Sequence, residues 1–441
     1  MNTCNFEDDE DDESCDEAVG MFAQARDVRR SKVDRSLDQS NKRTDWEEHV
    51  AAKDRAGEWL KYYHMPVDVY NKLHLLLFPD TAQGCRSQQQ GGNSSPMGHV
   101  DTRVKLACCL RELFGEKRKS MVDIFLVAPT TVRESFLATL KLINSCKALE
   151  SDIFETDHSE AVLAVRAYEF AKRSAHPNIF KHVVGAIDGL FIKTRQPTVK
   201  EVGNVRTFYS GHKKGFGINM QGCCDASCRF IGFSCNTPGS TSDYVAFRHA
   251  NFYGHWPKLP EPYMYFGDCA YPLAPFCLTP YVGTVLPEAE DVFNFYHSQL
   301  RITVERAFGI FVNVFGIFHA PLIFSIANSC EVVEACVRIH NFRINEGLQV
   351  VTRQSSNGAV FMQAFDRSNE VFDVLDDPRY VTERPHPSDA AYAAHVAQAE
   401  QHNGMPEHAA HGKAKRDVIA QALHIVGAQR PVALPRAGVE Q

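Results

Sequence analysis

Val183 to Ile192, reading VVGAIDGLFI, is an apolar run of strand character that carries one carboxylate, Asp188, followed at once by Gly189. Burying a charge in such a run is costly unless something pairs with it. A divalent cation is one natural partner, because Mg²⁺ is held by one or two carboxylates together with substrate oxygens. Taken alone, the stretch reads more simply as an Asp hydrogen-bonded into a turn with its glycine. The flanking sequence shifts the balance.

Downstream, GFGINMQGCCD and FIGFSCN are two further apolar or alternating runs separated by turn-like segments, the pattern of an antiparallel meander. TSDYVAFRHANFY then reads as a helix, YMYFGD as a short strand, and a long helix is expected from about Phe295 to Phe315. SCEVVEACVRIHNFRI closes the series as another helix. Three strands, helix, strand and helix is the order of an α/β, RNase H-like mixed sheet flanked by helices. Asp268 falls at the end of the YMYFGD strand, and residues beyond strand ends line the crevice where ligands bind in open sheets. The long helix sets Leu300, Val304, Phe308, Phe311 and Phe315 on one stripe, with His297, Arg301 and Glu305 one step round as a polar stripe. Arg301 and Glu305 alone would be a surface pair worth about 0.3–0.5 kcal/mol. Three carboxylates converging from two strands and a helix could instead hold two divalent ions about 4 Å apart, the arrangement that activates an attacking oxygen and stabilises a leaving one.

Upstream, residues 46–150 are helical in pattern. Within them, TRVKLACCLRELF, MVDIFLVA and a third helix starting at a Thr131–Glu134 capping box suggest a helix-turn-helix with Arg133 near the start of its third helix. An ordinary helical bundle is an equal reading, since the turn lacks a glycine. Residues 1–45 read as a disordered acidic and basic tail, residues 180–347 as the sheet domain, and residues 348–441 as a mostly flexible tail rich in Ala, His, Gln and Pro.

Composition sets the outer limits. The 441 residues have room for two or three domains, and 44% hydrophobic content supports a large core. The formal charge of −7 argues at first against a nucleic-acid partner, but Glu7 to Glu17 holds nine acidic residues and no basic one. Without that block, 45 acidic face 47 basic residues, a net of +2. Arg195, Lys200, Arg206, Phe208, Tyr209, His212, Lys213 and Lys214 form a basic, aromatic-interleaved track between the first two aspartates, suited to phosphates beside a metal site and otherwise a solvated loop. Fourteen cysteines lack a repeated spacing, and the cluster Cys223, Cys224, Cys228 and Cys235 lacks paired CxxC units, so buried free thiols in a reducing compartment are expected rather than zinc. The apolar run Phe308 to Ala327 is interrupted by Asn313, His319 and Pro321, so no membrane span is expected.

From about Val184 to Ile344 the chain resembles the DDE nuclease domain of PIF/Harbinger-type transposases. The resemblance is carried, in order, by GAIDGLFI, YSGHKKGFGINMQGCCDASCRFIGFSCNTPGSTSD, GDCAYPLAPFCLTPY, FNFYHSQLRITVERAFG and EACVRIHNF. It implies a metal-dependent DNA endonuclease with Asp188, Asp268 and Glu305 as its triad, spaced by 80 (268 − 188) and 37 (305 − 268) residues. It also implies two divalent ions (Mg²⁺ or Mn²⁺), DNA as partner, Arg206, Lys213, Lys214 and Arg133 as DNA-binding residues, and Asp243 and Arg301 as secondary site residues. A Myb-like DNA-binding partner protein, a homo-oligomer and nuclear location are further implications. One departure stands out: the family usually has a basic stretch after its ERAFG-like motif, whereas Ile310 to Phe318 is uncharged here. The competing expectation is a host-recruited descendant that keeps the fold as a catalytically silent DNA-binding or protein-interaction module.

Overall fold

Six strands pair into one sheet with β1 (Val183–Lys193) at its centre. In this computed structural model the described residues are 43–79, 100–150, 159–249, 259–348, 350–354, 360–364 and 406–431. On one side of β1 lie β3 (Gly215–Cys224) and β4 (Phe230–Pro238), both antiparallel to their neighbours. The two-residue β2 (Tyr209–Ser210) pairs with the start of β3. On the other side β5 (Met264–Phe266) runs parallel to β1 and β6 (Cys277–Leu278) parallel to β5. The expected meander and the crossover into a parallel strand are both present. Val183 to Ile187 are fully buried, which accounts for the unbroken apolar run.

Eleven helices of five or more residues surround or extend the sheet among the described residues: α1 (Trp46–Arg55), α2 (Trp59–Tyr63), α3 (Val67–Leu77), α4 (Thr102–Leu113), α5 (Arg118–Phe125), α6 (Pro129–Ser145), α7 (Glu160–Ala171), α8 (Asp243–His249), α9 (Glu288–Val314), α10 (Ile326–Asn345) and α11 (Pro406–Ile425). Helix α9 begins about two turns earlier than its apolar stripe implies, because Glu288, Glu290 and Asp291 fill its first turn, where carboxylates favour the helix N-terminus. The stripe itself is buried as expected, with Leu300, Val304, Phe311 and Phe315 inaccessible.

The N-terminal helices pack around Trp46, Trp59, Tyr63 and Tyr70, whose rings meet at 4.0–6.3 Å. Helices α4, α5 and α6 occupy the positions of the expected three-helix unit. The expected capping box is not the start of α6, however. That helix opens two residues earlier, at Pro129, behind Ala128, with no side-chain cap. Proline is favoured at a first helical position because its missing N–H would be unpaired there anyway.

This helical region and the sheet share one continuous set of buried apolar residues. Helix α6 packs on α10, and Phe114 stacks on Phe315 with ring centroids 5.6 Å apart. Gly115 and Gly316 approach so closely that a Cβ on Gly115 would lie 2.9 Å from the Gly316 backbone. The uncharged stretch after Glu305 therefore has a physical cause. On the side of that end of α9 covered by the N-terminal helices, Phe311, Val314 and Phe315 are buried, and a basic residue in their places would be buried too, while Asn313 on the opposite side is exposed.

Parts of the C-terminal region are built into the fold. Val350–Gln354 and Val360–Ala364 pair as a hairpin, β7 and β8, and α11 docks on α9 and on the loop after β6. Arg416 is buried, donates to the carbonyls of Thr279 and Pro280 at 3.1 and 3.0 Å, and stacks 3.9 Å from the Tyr281 ring centroid. Tyr281 donates its hydroxyl to Asp417, and Lys415 donates to the carbonyl of Pro275. Gly412 lies against the backbone of Ala274, where a Cβ would meet backbone atoms at 2.7–2.8 Å. Gly412→Leu is expected to lower stability by about 1–2 kcal/mol: roughly 1–3 kcal/mol of overpacking outweighs the ~1 kcal/mol that leaving glycine returns in helix propensity. Thermal denaturation of the full chain checks this, and an unchanged or higher melting temperature would contradict the docking. The rest of the expected tails, residues 1–42, 365–405 and 432–441, lie outside the described residues. No helix among the described residues is long and apolar enough to cross a membrane.

Candidate active site

Strand register builds the site. In the parallel pair, Gly185 faces Tyr265 and Ala186 faces Phe266, so continuing both chains by two residues brings Asp268 alongside Asp188. Strand β5 ends at Phe266, and Asp268 follows in a turn where its Oδ1 accepts from the amide of Ala270 at 2.9 Å. On the antiparallel side Asp188 pairs with Gly222 and Gly189 with Gln221. Asp188 Oδ1 accepts from the amide of Gly189 at 2.8 Å, which satisfies the turn reading of the motif without removing the carboxylate from the site.

Arg301 on α9 joins the other components. It donates to Asp188 Oδ2 at 3.1 Å and to Glu305 Oε1, one helical turn on. One guanidinium thus bridges two members of the expected triad. Burial works against its charge, but Asp188, Glu305 and Asp268 together outweigh that and push its pKa up. The side chain of Asp188 is 20% exposed. Burial pushes its carboxyl up to about 7; Arg301 opposes the shift, and the charges of Asp268 and Asp243 add to it. Opposite charge lowers a carboxyl pKa, whereas burial and like charge raise it, and here the second pair prevails.

Asp243, the first residue of α8, is also at the site. Its Oδ1 stands 2.2 Å from where a Cβ on Gly189 would be, so only glycine leaves room for it beside Asp188. It accepts from Asn219 Nδ2 at 3.0 Å and Gln221 Nε2 at 2.9 Å. His297, by contrast, leaves the expected polar stripe. It is buried against Phe266 and Phe293, its Nε2 3.1 Å from the carbonyl of Leu278, and burial lowers its pKa to about 3.

Sequence reasoning missed Asn219, Gln221 and Tyr271. The signal was present in GFGINMQGCCD, where Asn219 and Gln221 are polar residues two apart in an otherwise apolar strand and so share a face. The expected DNA-binding residues Arg206, Lys213, Lys214 and Arg133 are all exposed. The first three lie near the start of β3, and Arg133 lies on the second turn of α6. Cys223, Cys224, Cys228 and Cys235 are buried free thiols, as expected.

The residues present fit a divalent cation in donor chemistry. Carboxylate oxygens are the ligands Mg²⁺ prefers, and Asp188 bears an electrostatic penalty that a cation relieves. Among the described residues, no group of three or more His, Cys, Asp or Glu side chains is already drawn together as a ligand set.

Residues 187–341, from the middle of β1 to within α10, match the family of DDE superfamily endonucleases. That match takes in Asp188, Asp243, Asp268, Arg301 and Glu305 and nearly all of the sheet. Among curated proteins, the chain is similar to Protein ALP1-like of Arabidopsis thaliana, with 28% identity over 195 residues. The alignment covers 40% of this chain and 46% of that relative, so the chain spans less than half the length of the relative it matches. No solved structure matches the chain.

Proposed function

We propose that this chain is a metal-dependent DNA endonuclease of the Harbinger-type transposase class. It cuts phosphodiester bonds at element ends and can join the freed 3′-hydroxyl to a target. The observation that supports this most is that Arg301 bonds both Asp188 and Glu305 while the β1–β5 register sets Asp268 alongside Asp188, inside a segment that matches DDE endonucleases. The strand order β4-β3-β1-β5-β6, antiparallel on one side and parallel on the other, is the arrangement expected of an RNase H-like sheet.

In this reading Asp188 and Asp268 hold the divalent cations, Mg²⁺ or Mn²⁺, and Glu305 completes the set. When bound, the cations activate the attacking oxygen and stabilise the leaving one. Arg301 holds Glu305 in place and offsets part of the charge on Asp188. Arg206, Lys213 and Lys214 guide the DNA backbone along the β3 end of the sheet, and Arg133 contacts it from the helical region. A Myb-like partner, homo-oligomeric assembly and nuclear location belong to the same proposal.

One observation favours the alternative of a catalytically silent DNA-binding or protein-interaction module. Arg301 already pairs with both Asp188 and Glu305, and a guanidinium between two carboxylates can replace a cation structurally without supplying its chemistry. Nicking of a supercoiled plasmid by the purified chain with Mg²⁺, suppressed by chelation, decides between the two; DNA binding with no nicking supports the silent module.

The DNA path has its own test. Arg206→Ala with Lys213→Ala is expected to weaken DNA binding at low salt and to flatten the slope of log affinity against log salt by about 1.8, roughly 0.9 for each lost phosphate contact. An unchanged slope would place the DNA elsewhere.

A further inference from the structure

Cys235 stands at an irregularity of the sheet. Between the pairs Asn219–Thr237 and Gln221–Ser234, β3 contributes one residue, Met220, and β4 contributes two, Cys235 and Asn236. An extra residue of this kind bends a strand and re-aims its side chains. Strand β4 packs on α10, and in the second turn of that helix Cys330 meets the bulge. The Cys330 thiol donates to the carbonyl of Cys235 at 2.7 Å. The two thiols are hydrogen-bond partners of each other as well, and both are free cysteines.

The pair is asymmetric. Cys235 is 7% exposed, whereas Cys330 is half-buried. Hydrogen bonding from Cys235 holds the Cys330 thiol below its ordinary value, against burial and the charges of Glu331 and Glu334. The same bond, together with burial, pushes Cys235 well up. A solvent-reachable sulfur that ionises readily, set against a buried thiol, is suited to being oxidised and then captured by its neighbour. Cys224 and Cys336 are inaccessible, which leaves an oxidant no approach to them.

We propose that Cys330 and Cys235 are a redox-active thiol pair, which a peroxide converts into a disulfide latching β4 to α10. The Cys330 thiolate attacks one peroxide oxygen and the O–O bond breaks. The other oxygen leaves as an alcohol or water, and Cys330 becomes a sulfenic acid. The Cys235 thiol then attacks that sulfur, forming the S–S bond and releasing water. Two electrons pass from the sulfurs to the peroxide, and two small-molecule thiols return them by exchange, becoming a disulfide themselves. The bond joins positions 95 residues apart. The loop it closes contains Asp268, Arg301 and Glu305, so the latch restrains the segment that supplies them. This inference does not depend on the nuclease reading.

The test treats the reduced full-length chain with a slight excess of hydrogen peroxide, followed by intact mass and non-reducing peptide mapping. The expected result is loss of two hydrogen masses and a cross-linked peptide pair holding Cys235 and Cys330, both reversed by dithiothreitol. The oxidised chain should melt roughly 5–10 °C above the reduced one, because closing a long loop restricts the unfolded chain. Cys330→Ser alters the half-buried member and should melt as reduced wild type does. It should form no such cross-link and show no peroxide-dependent shift. Cys235→Ala gives the same comparison from the buried side, and there peroxide should carry Cys330 beyond the sulfenic acid, with nothing to capture it.

Wild-type thiols that both stay open to alkylation after peroxide overturn the proposal, as does Cys330 carried to the sulfinic acid with no cross-link. A Cys235–Cys330 bond that leaves the melting temperature unchanged, or lowers it, overturns the latch.

Discussion

Asp268→Ala is expected to abolish Mg²⁺-dependent nicking, with a rate at least about 10³-fold below wild type, equivalent to roughly 4 kcal/mol of lost transition-state stabilisation. Asp268 is the site carboxylate set by the parallel pairing of β1 with β5, and a shortened side chain at that position cannot reach a shared cation. DNA affinity should stay within a fewfold of wild type, because the exposed basic residues Arg206, Lys213 and Lys214 belong to another part of the sheet. The fold should persist too, since the bond the carboxylate accepts from the Ala270 amide lies within its own turn and not across the core. Nicking in parallel preparations, quantified from the fraction of relaxed plasmid, checks the result. Residual cutting at the wild-type rate would remove Asp268 from the chemistry.

The second large effect runs in opposite directions for activity and stability. Asp188→Asn should eliminate nicking yet make the cation-free protein more stable at pH 8. The folded carboxyl is pushed up to about 7, above its ordinary value near 3.8. Between those values the native state binds more protons than the unfolded chain, so stability falls as pH rises. The favourable contribution is complete below about 4 and lost once pH passes about 7. Asn carries no such charge, and the difference at pH 8 should be on the order of a few kcal/mol, narrowing towards pH 5. Loss of the Asp188 partner costs Arg301 one ion pair, but the raised carboxyl pKa already counts that attraction and still disfavours the charge. Melting temperatures of both proteins at pH 5 and pH 8, with and without Mg²⁺, test the sign. Mg²⁺ should raise the wild-type value at pH 8 and leave the variant unmoved. A variant less stable than wild type at pH 8 would show that the Arg301 pair, and not the burial of charge, dominates.

The elements that bury large apolar side chains at regular spacing were legible in the sequence. The unbroken run at β1, the meander through β3 and β4 and the stripe of α9 all follow from periodicity, and on that basis Asp188 could be placed within one strand and Asp268 at the end of another. What stayed hidden depends on polar contacts between segments remote in the chain. Arg301 looks like half of an ordinary surface pair until β1 delivers Asp188 to its other side. Asn219 and Gln221 gain meaning only with Asp243 and Tyr271 around them. The true start of α6 went unread because a proline at its first position replaced the expected side-chain cap. Helix α11 escaped notice because Ile419, Ala420 and Leu423 are a short apolar stripe, and the glycine and the tyrosine-stacked arginine that also dock it leave no hydrophobic pattern.

That last helix changes where the working unit ends. Likeness to the DDE endonuclease family stops at residue 341, yet β6 ends the strand order β4-β3-β1-β5-β6, and the carbonyls just past it are satisfied by Arg416, from far along the polypeptide. A shortened protein drawn to the limits of the likeness would leave the outer rim of the sheet uncovered, and bare strand rims recruit other chains. Helix α11 thus sits on the same loop that leads from Asp268 to the helix bearing Glu305.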